Sequence, residues 1–331
     1  MTVPAQLQNT IFVDEDAARE ALEQVRWPNG PVCPHCGVTG PEIAKVEGKK
    51  QSHRPGLYYC NACKGQFTVT VGTVFERSKI PLTKWWMAVY LLNSSKNGIS
   101  AHQIHRTLKV TYKTAWFMMH RIREAMRTGG LVPPMGGAGK TVEVDETYIG
   151  KQEGHAKARG AAHKNIVLTL VERGGAARSF HIDSTSIADI APILKANIAK
   201  ETALMTDEAN HYKQVGREFE SHDAVNHTEK EYVRYWNEAT DKMRPDGKPV
   251  VETTTITTNT VEGFYSVFKR GMKGIYQHCS EKHLHRYLAE FDFRYSNRGA
   301  LGANDGERAV LAMKGIEGKR LTYRPINKAI G

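Results

Sequence analysis

No apolar run in this 331-residue chain is long enough to cross a membrane. The longest near its front is WWMAVYLL, residues 85–92, whereas a helical span needs about 20 residues. The opening MTVPAQLQNT lacks a basic segment followed by an apolar one, so no secretory signal is expected. Cysteine is scarce, at five residues. In the cytosolic setting this implies, they are expected as thiols or metal ligands, not disulfides. Acid is in deficit too. Lys and Arg number 46 against 35 Asp and Glu, a formal charge of +11. Such an excess points to a polyanionic partner, either nucleic acid or an anionic surface. Hydrophobic residues make up 40%, so packed cores are expected and wholesale disorder is not.

The charge is segregated. Residues 1–140 carry 18 basic against 9 acidic side chains, residues 141–263 carry 15 against 20, and residues 264–331 carry 13 against 6. A basic front and a basic tail flank an acidic middle, and an acidic middle is what a divalent-metal site would contribute to.

Four cysteines fall in two C-x-x-C pairs, Cys33 with Cys36 and Cys60 with Cys63, with 23 residues between the pairs. Two such knuckles present four thiolates tetrahedrally, which suits Zn²⁺. Lys45, Lys49, Lys50, Arg54 and Lys64 lie around them. DNA contact and a purely structural role both fit this zinc ribbon. Cys279 stands alone and reads as a packed or idle thiol.

Next, PLTKWWMAVYLLNSSKNG reads as a helix starting near Pro81. In residues 100–126, Ser100 caps a helix that buries Ile104 and Leu108, and KVTY breaks it. A second helix from about Lys113 turns Trp116, Phe117, Met119 and Ile122 inward. Lys113, His120, Arg121, Arg123 and Arg127 are expected outward. This is a helix-turn-helix pattern with a basic second helix. A plain helical hairpin is the alternative, and local charge favours DNA.

The Gly/Pro-rich RTGGLVPPMGGAGKT reads as a linker. Beyond it, TVEVDETYIG, the two halves of NIVLTLVERGGAARSFHID, TALMTD and SHDAV read as strands, with a helix in SIADIAPILKANIAK and another in HYKQVGREF. A long helix from about Thr258 follows. A three-strand meander followed by alternating α and β fits a mixed sheet of the ribonuclease-H type. The expected fold is therefore multidomain. A zinc ribbon spans residues 1–75 and a helix-turn-helix segment 76–128. A linker at 129–140 leads to an α/β RNase-H-like catalytic domain at 141–300, and a basic tail covers 301–331.

In such a sheet the first and fourth strands are neighbours, so Asp145 and Asp207 can meet. Close carboxylates repel and call for a cation, and Mg²⁺ takes hard oxygen ligands together with substrate phosphate. Each acid also has a bland reading, Asp207 as a helix cap and Asp145 as a solvated strand end. On the last helix Asn259, Glu262, Ser266 and Lys269 share one face, suited to a metal and a phosphate or simply to solvent.

At these residues the chain resembles a known family. CPHCG…YYCNACKGQFTVTVGTVFERSKIPLTKWW, VEVDETYIGK, TDEA, NHTEKEYV and TNTVEGFYSVFKRGMKGIY…YLAEFDFRYSNR look like bacterial insertion-sequence transposases of the ISXO-type group. These carry an N-terminal zinc ribbon and a DDE-type catalytic domain. The resemblance implies structural Zn²⁺, catalytic Mg²⁺ or Mn²⁺, and Asp145 and Asp207 as the first two metal ligands. The third ligand in such enzymes is Glu, and this group often varies it to Asn. Glu262 is favoured, with Lys269 seven residues on, and Asn259 stays close behind. Lys269 and Arg270 are expected on the DNA backbone, and His227 as a packed or accessory residue. The implied activity is transposition, by cleavage of 3′ ends at terminal inverted repeats and strand transfer into target DNA. A homodimer or larger assembly working in the cytoplasm at the nucleoid is expected, with no membrane partner. The alternative is a transposase-derived DNA-binding regulator that has lost its chemistry.

Overall fold

A computed structural model describes residues 10–47, 53–129, 132–156, 158–226, 229, 231–243 and 249–322. The chain divides into two compact units. One comprises residues 1–128 with 297–331, the other residues 129–296.

The first unit opens with helix α1 (Glu15–Arg26), whose N-terminal amides are capped by Asp14. A small antiparallel sheet follows, β1 (Ile43–Lys45), β2 (Tyr58–Cys60) and β3 (Gln66–Phe67), in the order β1-β2-β3. Helix α2 (Leu82–Ser94) buries Trp85, Trp86, Val89 and Leu92. It is apolar nearly all round, as befits a helix with neighbours on several sides. Next come α3 (Ala101–Leu108), capped by the Ser100 hydroxyl, and α4 (Tyr112–Met126), capped by Thr111. Lys109, between them, takes the left-handed conformation that ends a helix.

The second unit is built on a five-stranded sheet. Strands β4 (Thr141–Ile149), β5 (Asn165–Glu172) and β6 (Ala177–Ile182) form an antiparallel meander. Helix α5 (Ile187–Asn197) leads to β7 (Ala203–Asp207), which pairs parallel with β4. Helix α6 (Asn210–Val215) leads to β8 (Ser221–Val225), parallel to β7. The order β6-β5-β4-β7-β8 is the mixed ribonuclease-H-type sheet expected from the sequence. A two-stranded hairpin follows, β9 (Arg234–Met243) with β10 (Pro249–Ile256), and leaves Tyr235 and Trp236 exposed. Then come α7 (Asn259–Arg270), a π-helical turn at Gly271–Tyr276, and α8 (Glu281–Ser296).

Alternation along the strands sorts side chains to the two faces of this sheet. Val142, Val144, Leu168 and Leu170 join Ile190 and Leu194 of α5 and Tyr212 of α6 in one core. Val167 and Val171 join Val261, Phe264 and Phe268 of α7 and Leu288 and Phe291 of α8 in the other. Each fully buried Val, Leu or Phe contributes about 1.5–3 kcal/mol.

Helix α9 (Asp305–Lys314) belongs to the first unit, where it packs on α1, α2 and α4. The segment read as a basic tail from residue 301 is thus, up to residue 322, part of a folded body. Lys319 Nζ donates to the carbonyl of Ala125, and Arg26 pairs with Glu317 at 3.1 Å.

This packing corrects the reading of α4. Arg123 and His120 are each 1% exposed, so neither faces outward. Arg121 is half-buried, donating to the carbonyls of Leu321 and Glu76. A helix covered by α2, α3 and α9 keeps few free faces. Lys113, in its first turn, and Arg127, just past its end, are exposed. Among the described residues no helix is long and apolar enough to cross a membrane.

Candidate catalytic and metal sites

The four cysteine sulfurs of the first unit lie within 4.8 Å of one another. Cys33 and Cys63 are 3.7 Å apart at sulfur, as are Cys36 and Cys60. A tetrahedron of Zn–S bonds of about 2.3 Å has edges of about 3.8 Å, so the thiols stand where zinc would hold them. Cys33 and Cys60 are buried while Cys36 and Cys63 are exposed. Burial works against ionising Cys33, yet backbone hydrogen bonds at His35 and Cys36 bring its thiol down to about 6. Its neighbours go the other way: against backbone hydrogen bonds at Val38 and Gly65, burial and the adjacent sulfurs push the Cys36 thiol up to about 12 and raise that of Cys63, so the four ionise together only with a cation among them. Lys45 and Arg54 are described; Lys49 and Lys50 lie outside the described residues.

The acids meet in the second unit. Because β4 and β7 are parallel neighbours in register, Asp145 in the middle of β4 comes level with Asp207 at the C-terminal end of β7. Asp145, Glu146 and Asp207 each offer an oxygen within 4.8 Å of the others. Burial lifts the Asp145 carboxyl to about 7. A hydrogen bond from the Glu146 N–H, at 2.7 Å, opposes this, and the charges of Glu146, Asp207 and Glu262 add to it. Burial likewise raises Glu146 to about 7, with Asp207 adding to it. Three acids held close together in low dielectric are the donor set of a hard divalent cation. Asp207 also accepts the Ala209 N–H at 3.0 Å, which fixes its rotamer at the start of α6.

Glu146 has a second partner that sequence reading did not single out. His211, on α6, meets it at 2.7 Å. Burial lowers the His211 pKa, favouring the neutral ring.

Helix α7 is fastened against β4 and β5. Glu143, on β4 and fully buried, accepts the N–H groups of Thr260 and Val261 at 2.7 and 3.0 Å. Arg173 pairs with the same carboxylate at 2.7 Å and donates to the carbonyls of Thr255 and Thr257. Tyr265 donates to the carbonyls of Asp145 and Val167. Glu143, two positions before Asp145, thus caps the helix carrying Asn259 and Glu262. No spacing rule marks it, because the amides it caps lie over a hundred positions away.

Glu262 is exposed and accepts from the Thr258 hydroxyl at 3.0 Å. It lies outside the tight cluster of three acids, yet its charge reaches Asp145. Asn259 is exposed at the first position of α7. Lys269 is half-buried with its ammonium 5.8 Å from the Tyr265 ring centre, and Arg270 is exposed. His227 lies outside the described residues.

Residues 136–296 match the ISXO2-like transposase domain, and residues 13–66 match the transposase zinc-ribbon domain. The chain carries the two domains of the ISXO2-like transposases. A Halobacterium salinarum relative is 33% identical over 138 residues, 42% of this chain and 43% of its own length. It is described as an uncharacterized protein in transposable element ISH50. The chain thus spans less than half of that relative. Four close thiols stand in the ribbon domain, and Asp145, Glu146 and Asp207 cluster on and beside the inner strands β4 and β7 of the mixed sheet in the matched transposase domain.

Proposed function

We propose that this transposase cuts the 3′ ends of its element and joins them to target DNA. The observation that carries the reading is the meeting of Asp145 and Asp207 on parallel neighbours β4 and β7, where burial and mutual charge disfavour the metal-free anions. Asp145, Asp207 and Glu262 would hold Mg²⁺ or Mn²⁺, and Asn259 is the other candidate for the third place. When bound, the cation supplies positive charge and Lewis acidity at a phosphodiester. The chain's own residues then position DNA. Lys269 and Arg270 stand on α7 to meet backbone phosphates, and Lys113 is an exposed cation of the helical segment. Water attacks the phosphodiester at the element end and frees a 3′-OH, which attacks target phosphate in turn. No protein nucleophile is required. Zn²⁺ held by Cys33, Cys36, Cys60 and Cys63 is structural. Terminal inverted repeats and target DNA are the partners, and pairing two ends calls for a dimer or larger assembly, in the cytoplasm at the nucleoid.

The test is an end-cleavage assay on labelled duplex from the borders of the gene. Mg²⁺-dependent 3′ nicks that vanish in Asp145→Ala support the reading. Binding with no nick under Mg²⁺ or Mn²⁺ replaces it with a DNA-binding regulator. Nicks that are never joined to target DNA indicate a nuclease.

A further inference from the structure

A cavity of about 300 Å³ opens in the second unit beyond the C-terminal end of β4. Tyr148 lines it from β4, Lys164 and Asn165 from the start of β5, and Lys273 and Gln277 from the turn after α7. Cys279 stands in its wall. Asn165 is 2% exposed, and its Oδ1 has no hydrogen-bond partner. A buried acceptor left open costs stability, so it calls for a donor that arrives from elsewhere. Neither lysine has an ion-pair partner among the described residues. Gln277 takes φ 59, a conformation that L residues rarely hold, which puts backbone strain at the cavity wall.

We infer that this cavity receives a nucleotide of the DNA strand, displaced from its stack near the scissile phosphate; the inference rests on the proposed cleavage of DNA at Asp145 and Asp207. The chemistry on the wall is that of a nucleotide. Asn165 and Gln277 offer amide edges to a base, Tyr148 offers a ring face, and the two lysines offer charge to flanking phosphates. Distance fits as well. Four residue steps lead from Asp145 to Ile149, about 13 Å of β4, which is about four base-pair steps of duplex at 3.4 Å each. An apolar guest would leave Asn165 and both lysines unanswered, and a bare anion would leave the tyrosine and the amides idle.

The test uses Cys279 as a reporter in full-length, zinc-loaded protein. Border duplexes carry a disulfide-tethered base at successive positions around the cut. The expected result is a cross-link at one or two adjacent positions, absent in Cys279→Ser. Lys273→Glu, an exposed change, should lower its yield roughly tenfold, one charge-assisted contact. Asn165→Leu should lower the yield while leaving the melting temperature at or above wild type. Cross-linking no greater than in Cys279→Ser, or equal at every position, by protein that cuts the same DNA would overturn the pocket and spare the transposase reading. Failure to cut any border duplex would remove the reading and the inference together. A third arm measures alkylation of Cys279 by peptide mapping. Protection by millimolar free mononucleotide but not by DNA would reassign the cavity to a free ligand.

Discussion

The carboxylate of Glu143 accepts the backbone N–H of Thr260 at 2.7 Å, joining strand β4 to the first turn of α7. The same side chain, itself fully buried, pairs with the partly buried Arg173. Breaking one partner of such a pair costs about 3–5 kcal/mol, because the other charge is stranded. Glu143→Gln is expected to lower the unfolding free energy of the second unit, read from urea titration, by an amount in that range. Zinc content should not change. Cleavage should fall further than the unfolded fraction explains, because the frame of Glu262 loosens. Unchanged cleavage at full stability loss would limit Glu143 to a structural role.

Asp145→Asn and Asp207→Asn each remove one ligand and one clustered charge. Cleavage is expected to drop by at least about 10²–10³-fold, the scale of losing an electrostatic group at a reacting phosphate. Without metal at pH 8 the same changes relieve repulsion, so both variants should melt above wild type. Added Mg²⁺ should stabilise wild type and leave the variants unmoved. Calorimetry with and without Mg²⁺ reads both effects, and equal stabilisation of all three proteins would remove the metal site.

Glu262 and Asn259 are one helical turn apart, and the charge of Glu262 reaches Asp145. Glu262→Gln is therefore expected to cost about as much activity as Asp145→Asn, while Asn259→Ala retains most of it. The reverse ranking in the end-cleavage assay would hand the third place to Asn259.

Asp292, on α8, accepts the N–H and hydroxyl of Ser179, and burial raises its carboxyl to about 7. The unfolded chain releases this proton near pH 4 while the folded chain keeps it to about 7. The folded state binds more protons between those values, so stability falls as pH rises from about 4 to 7 and is flat above. Asp292→Asn should flatten its share of that slope, on the order of a few kcal/mol. Urea midpoints at pH 5 and pH 8 measure it.

Cys33→Ser removes one of four sulfurs held within 4.8 Å. Zinc is expected to fall from one per chain toward zero, with loss of the ribbon, since such small folds depend on the metal. The second unit should keep its melting transition. Full zinc in Cys33→Ser would exclude the four-thiol assignment.

Much of the second unit was legible because its strands are short apolar runs bounded by turn residues. The break at Gly174–Gly175 separates β5 from β6, and Asp207 ends β7. The hairpin β9–β10 was not. Its polar residues Arg234, Asn237, Thr253 and Thr255 leave no apolar stripe to read, and its pairing is satisfied by backbone. Arg121 and Arg123 misled because a basic helix reads as solvated. The groups that cover α4 arrive from α9 and from Leu321, some two hundred positions later. Glu146 was visible beside Asp145, but its contact with His211 depends on α6 starting just past β7.

The first unit is assembled from residues on both sides of the second. On the ribosome this sets an order of events. The stretch carrying Asp145, Asp207 and Glu262 is complete before α9 exists, and α1, α2 and α4 wait for their last neighbour until residues 305–319 emerge. A gene copy broken between those two points would still encode every clustered acid, yet its ribbon-bearing body would have an open side.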